Sequence, residues 1–316
     1  MSTVADRSPR TQAPAPAARP RPRGAARRQL WTRVGMQAPS LVILVLVLAF
    51  PLVYSVTLSL QSYSPVDPAA DGHWVGFDNY ARMFQDAQFG QAVLVTIAYV
   101  VLAVAIQTVL GTVIGVWLSR LMRTRRLVTS FLLLPMIATP LVVGLMFSFG
   151  LNPQFGYMTG FLRAIGLVGE GGVLDSATGA FSALVVMDVW EWTPFIALMV
   201  LAGLSAAPQA QIQAAELDGC NTAQLYWYVM LPMIRPVIGV AILFRATEAI
   251  RQFDQIYILT GGGPGAATTV NDIFQYRVSF TAFDMSYGAA LGVTTFLVVA
   301  ALAWLLFRFL NRKDAQ

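Results

Sequence analysis

Long apolar runs separated by short polar segments set the pattern of this chain. The first run, 39–60, contains no charged residue. As a helix rising 1.5 Å per residue it spans roughly 33 Å, enough for a hydrocarbon layer of about 30 Å. Five further runs, at about 92–118, 127–149, 180–204, 237–259 and 287–307, have the same character. The pattern predicts an all-α membrane protein with six transmembrane helices. A secretory signal would need a shorter apolar region and a small-residue cleavage site. The stretch 49–56 lacks a clear one, so the first run reads as an uncleaved span.

Composition agrees. Hydrophobic residues make up 56% of the 316 and charged ones 12%, against about 45–50% apolar and about 25% charged in soluble domains. The basic residues lie at the ends of the runs. Eight arginines, with one acid and five prolines, occupy residues 1–38, which read as a disordered basic cytoplasmic tail. Residues 39–312 then form the six-helix transmembrane domain. With both termini inside, sixteen basic residues fall on the cytoplasmic side and three outside, while Arg245 and Arg251 remain within the fifth run. The positive-inside rule sets that orientation. Arginines beside a first span act as an orientation signal and an anchor to anionic membrane lipid, so no nucleic-acid partner is expected.

Three single residues exclude whole classes of chemistry. Cys220 is the only cysteine, so there is no internal disulfide and no cysteine-rich metal cluster. One histidine, His73, excludes a two-histidine zinc hydrolase. The only lysine, Lys313, follows no glycine-rich turn, so the chain has no Walker A loop and hydrolyses no ATP itself.

The segment 205–236 is more than a connector. Pro208 can open a helix, Ala214 to Leu217 favour one, and Asp218-Gly219 can break it. A second amphipathic helix, from Thr222 to Met230, places Leu225, Tyr226 and Val229 on one face, and Leu231-Pro232 is expected to end it. Gln213-Ala214-Ala215, then Asp218-Gly219, Val229 and Leu231-Pro232 resemble the EAA loop of ABC importer permeases in spacing throughout. Gln213 stands where that family has glutamate, and Val229 where it has isoleucine. Gln213 keeps the length of glutamate without its charge.

The resemblance narrows with Phe253-Asp254, Ile256-Tyr257 and Leu259-Thr260-Gly261-Gly262-Gly263-Pro264, similar to the signature loop of carbohydrate-uptake permeases. Gly76 to Tyr80 (GFDNY) and Trp190 to Phe195 (WEWTPF) fit the same group, and together these motifs cover nearly all of the chain after residue 38. The resemblance implies a type I ABC importer permease fold and a bacterial inner-membrane location. It also implies four kinds of partner: a second homologous permease, two cytosolic ATPases that bind ATP and magnesium, an extracytoplasmic sugar-binding protein and a sugar. No cofactor is expected in this chain.

Ionisable residues at membrane depth cost at least about 2.5–3.5 kcal/mol each, yet the fourth run carries Asp188 and Glu191, and the fifth Arg245, Glu248, Arg251 and Asp254. Asp188 and Glu191 share a face at i, i+3, as do Arg245 and Glu248. The two faces are expected to confront each other around an aqueous cavity near the midplane, either as a sugar site or as an ion-pair network holding helices together. Carboxylates accepting hydroxyl hydrogen bonds beside aromatic walls suit a sugar. In the maltose importers of the resembled family, the sugar lies at positions matching Asp188, Glu191, Trp192, Phe195, Arg245 and Glu248. A membrane-embedded enzyme is the first rival, but no DDxxD, G-x-S-x-G or H-E-x-x-H motif is present. A secondary transporter is the second rival; it would need internal repeats, and none is visible. Gly111/Gly115 and Gly288/Gly292, each at i, i+4, are expected to permit close helix packing.

Overall fold

A computed structural model describes residues 23–121, 124–169 and 171–311. Residues 1–22 of the expected basic tail lie outside these. The remainder of that tail is helical, because helix α1 (Arg23–Ser59) begins well before Pro39. Between Pro22 and Pro39 no proline interrupts a stretch with four arginines, three alanines and two glutamines, all good helix formers. The chain divides after Tyr54 into two compact units. In the first, the α1 side chains from Val42 to Leu48 are exposed and apolar, a surface suited to lipid or an apolar partner.

The second unit opens on a short hairpin, β1 (Gln61–Tyr63) against β2 (Asp71–Trp74), antiparallel with Ser62 opposite His73. Helix α2 (Asp78–Gln85) follows, and the Asp86 side chain then caps α3 (Ala87–Arg120) by accepting from the Gln88 and Phe89 N–H groups. Next come α4 (Arg125–Ile137), α5 (Pro140–Gly150), α6 (Tyr157–Ala164) and α7 (Ala177–Ser205). Helix α8 (Gln209–Leu217) leads into α9 (Thr222–Gln224), a π turn (Leu225–Met230) and α10 (Leu231–Ile250). After α11 (Asp254–Thr260) and α12 (Asn271–Tyr276), helix α13 (Met285–Asn311) closes the chain.

Among the described residues, five helices are long and apolar enough to cross a membrane, or six when the bent pair α4–α5 counts as one span. That pair replaces the single apolar run expected at about 127–149 with two helices. It bends by 88°, because Ala138 and Thr139 are extended (ψ 141° and 145°), as the residue before Pro140 prefers. The fifth span is corrected at both ends. Its helix runs continuously from Thr222 to Ile250, so Leu231-Pro232 does not end the preceding helix. The Leu231 N–H bonds Tyr226 O five residues back, and the widened turn makes room for the Pro232 ring, which in a regular α-helix clashes with the carbonyl four residues before it. The chain then breaks at Arg251–Phe253, which puts Asp254 on a separate helix.

The closest packing joins α3 to α7. A Cβ built on Gly111 would lie 2.6 Å from Ile196 Cβ, and one on Gly115 would lie 2.7 Å from the Ala197 carbonyl. Only glycine admits this approach. One core cluster, including Tyr99, Phe147, Leu184, Met187 and Ile256, fills one half of the bundle. A second, with Ile196, Val200, Leu204, Ile212, Leu225 and Ile234, ties α8 and the π turn to α7 and α10.

Candidate functional site

Where α3, α7 and α10 meet, Arg245 and Asp188 form an ion pair with both side chains shut off from solvent. Gln107 on α3 joins them. Its amide nitrogen donates to Asp188 Oδ2 (2.8 Å) and to the Asp188 carbonyl (3.0 Å), while its oxygen accepts from Arg245 Nε (3.1 Å). The guanidinium also lies 4.8 Å from the centre of the Trp192 ring. Each acceptor of the pair is thereby met by a donor from another helix, as a buried charge requires. The expected aqueous cavity between the two charged faces is therefore corrected at Asp188 and Arg245: they touch directly.

Glu191, one turn along α7, is buried too, yet its Oε2 finds no hydrogen-bond partner among the described residues. Trp192 Nε1 and both amide atoms of Gln255 likewise make no bond of ordinary geometry, although both side chains lie against the Glu191 carboxyl. Such orphaned buried groups are uncommon in folded proteins, and Arg245 Nη1 and the Tyr99 hydroxyl are in the same condition. Phe195 packs on Phe244 at 5.2 Å and edge-on to Trp192 at 6.4 Å, completing an aromatic wall.

Glu248 does not join Arg245. It accepts from Arg251 at 2.7 Å, in a partly exposed pair at the end of α10. Asp272 on α12, outside the spans, feels the same arginine. Burial pushes its carboxyl up to about 6, against the pull of Arg251 and a bond from Asn271.

Gln213 and Ala214 lie on the exposed face of α8, while Ile212 and Ala215 turn inward. Gly219 follows Asp218 at φ +82°, a conformation that favours glycine. The Gly219 N–H bonds Glu216 O and the Cys220 N–H bonds Ala215 O, closing the C-terminus of α8. Asn221 and Gln224 then cap the next helix reciprocally, at 2.9 Å each way. The Tyr226 hydroxyl lies 3.0 Å from Ser119 Oγ, with Arg120 stacked on its ring at 4.6 Å. Leu217, Trp227 and Tyr228 project outward from this turn.

The Gly261-Gly262-Gly263-Pro264 loop is fastened by side chains rather than left as a plain turn. Arg277 donates to Gly261 O (2.6 Å), Thr269 Oγ1 to Gly262 O and Thr268 Oγ1 to Gly263 O (2.8 Å each). A side chain at Gly262 would strike Arg277 and Thr269.

Sequence reading missed Gln107 and Gln255, although a glutamine inside an apolar run is a visible signal. The Asn221-x-x-Gln224 capping pair and Arg277 were also legible by residue type, but not by partner.

A family model described as "binding-protein-dependent transport system inner membrane component" matches residues 107–314. A probable ABC transporter permease protein of Sinorhizobium fredii is 35% identical over 297 residues, covering 91% of this chain and 96% of its own. The trehalose transport system permease protein SugA of Mycobacterium tuberculosis is 32% identical over 271 residues, 86% of each chain. The trehalose/maltose transport system permease protein MalF of Thermococcus litoralis is 30% identical over 267 residues, 84% of this chain and 88% of its own. Among solved structures, a chain of a bacterial ABC transporter involved in import of the acidic polysaccharide alginate superposes with a TM-score of 0.77. That match covers 92% of this chain and 98% of the other at 20% identity, so the likeness concerns the fold.

Proposed function

Because the chain belongs to the family of binding-protein-dependent transport system inner membrane components, we propose that it is one permease subunit of an ATP-driven sugar importer. The observation that carries this reading is a single helix. From Thr222 to Ile250 it bears the Asp218–Gly219 turn at one end and Arg245, in the polar cluster, near the other. A machine that moves a solute with energy supplied by another chain needs such a connection between its docking turn and its membrane-embedded groups.

In this reading, two cytosolic ATPases bind ATP and magnesium and seat against Gln213, Ala214, Ala215, Asp218 and Gly219. A second permease completes the pore, and an extracytoplasmic binding protein delivers the sugar. Both termini face the cytoplasm. Glu191, Trp192 and Phe195, with Asp188, Arg245 and Glu248 around them, take the sugar midway through the membrane. The orphaned atoms of Glu191 and Trp192, and those of Gln255, supply both acceptors and donors for hydroxyls. The chain itself carries out no bond-making chemistry.

The test is the reconstituted complex with a panel of sugars. A cognate sugar with the binding protein should stimulate ATP hydrolysis and drive uptake. Uptake that persists without ATP would sink the reading in favour of a secondary transporter.

A further inference from the structure

At the end of α3 away from the Asp218–Gly219 turn lies a cleft of about 960 Å³, lined by Gln88, Gln91, Tyr257, Thr269, Tyr276 and Arg277 among others. Helix α3 has 34 residues, about 51 Å of length, and its far end, Arg120, stacks on Tyr226 beside that turn. The cleft and the turn therefore occupy opposite ends of the bundle.

Its wall is aromatic. Tyr257 and Tyr276 lie 5.2 Å apart, ring edge to ring face, and Phe253 packs against both at 5.3 Å. Tyr257 keeps 43% of its surface exposed. Opposite polarity is supplied by Gln88 and Gln91, whose amides each donate and accept. Arg277 is held by Gly261 O and Thr269, and a guanidinium with five N–H groups has donors beyond those two bonds. Arg277 is the only charged residue among those lining the cleft. A preformed concavity with aromatic walls and a few convergent hydrogen-bonding groups is the general design of a small-molecule site. Ring faces suit the apolar C–H faces of a pyranose, and paired amides suit its hydroxyls.

We propose that this cleft is a saccharide-binding vestibule, distinct from the Glu191–Trp192 cluster and holding a sugar before it enters the membrane. The proposal rests on the sugar-importer reading above. The positive lining admits neutral and acidic saccharides alike.

The complete transporter, in nanodiscs and without its binding protein, is mixed with trehalose, maltose or maltotriose and read by saturation-transfer NMR; the same complex is assayed for uptake. For a transported sugar, the transfer should survive Glu191→Gln and fall at least fivefold in Tyr257→Ala/Tyr276→Ala. It should return in Tyr257→Phe/Tyr276→Phe. If the alanine pair fails to assemble, Gln88→Leu/Gln91→Leu, on exposed side chains, should show the same loss. Transfer lost in Glu191→Gln but kept in the tyrosine and glutamine variants overturns the vestibule. So does absence of transfer from every sugar the complex transports, as when a partner subunit fills the cleft. A sugar bound at the tyrosines of a complex that transports none leaves the cleft standing and sinks the importer reading instead.

Discussion

Glu248 lies three residues beyond Arg245 on one helix, yet its carboxylate turns away to Arg251, 2.7 Å distant. Arg245 bonds instead to Asp188 and Gln107, through Nη2 and Nε. The two halves of this charged helix therefore do different work, and they separate experimentally.

Replacing Glu248 by glutamine should leave complex yield and melting temperature nearly unchanged, since exposed pairs contribute about 0–1 kcal/mol. If Glu248 also accepts a sugar hydroxyl, apparent uptake affinity should drop about tenfold to a hundredfold, from the loss of a charged hydrogen bond of about 1.5–3 kcal/mol. Unchanged uptake would remove Glu248 from the sugar site.

The buried cluster should behave in the opposite way. Asp188→Ala strands Arg245 and should cost about 3–5 kcal/mol, and Gln107→Leu about 1–3 kcal/mol. The joint replacement Asp188→Leu with Arg245→Met should recover much of the stability, because an apolar pair needs no compensation. Thermal melts of the three purified variants decide this; a double variant no better than Asp188→Ala contradicts it.

Gly115→Leu should loosen the contact between α3 and α7. The side chain would meet Ala197 and Val200, and overpacking typically costs about 1–3 kcal/mol. The expected readout is a lower melting temperature. Wild-type stability would mean that α3 and α7 separate easily.

Gly219→Val isolates the turn. The site has open space around it, so no clash follows, but φ +82° disfavours a β-branched residue by about 1–2 kcal/mol. Transport and ATPase docking should fall while the membrane helices stay folded, as circular dichroism would report. Normal docking would dissociate the turn from coupling.

Asp272 predicts a pH dependence. Folded, its carboxyl holds a proton up to about pH 6, against an ordinary value of 3.8. Between those values the folded state binds more protons than the unfolded, so stability from this group falls as pH rises. Asp272→Asn should therefore melt higher than wild type above about pH 6, with the gap closing toward pH 4. A gap constant with pH would discard the burial argument.

Six passes were legible because apolar length and the arginines at run ends report directly on a bilayer. The bend at Ala138–Thr139 was announced only by Pro135 and Pro140, which the apolar run masks. Residue spacing also suggested that Glu248 would share Arg245's site, because i, i+3 describes neighbours on one helix. The partners of Arg245 come from α3 and α7, 138 and 57 residues away in sequence, and no periodicity encodes that choice. Among the site residues, spacing identified the turn at Gly219 correctly, since a glycine after a helix-ending aspartate acts locally. It missed Gln255, whose burial depends on the break after Ile250.

The unbroken helix from Thr222 to Ile250 also sets a mechanical scale. Arg245 sits about 35 Å along it from Thr222, so a pivot of only about 5° at the turn would sweep the guanidinium sideways by about 3 Å. A hydrogen bond does not survive such a displacement. Any rocking of this rod must either drag α7 and α3 along as one body or tear Arg245 from Asp188, and the toll of tearing would act as a detent between the two end positions of the stroke.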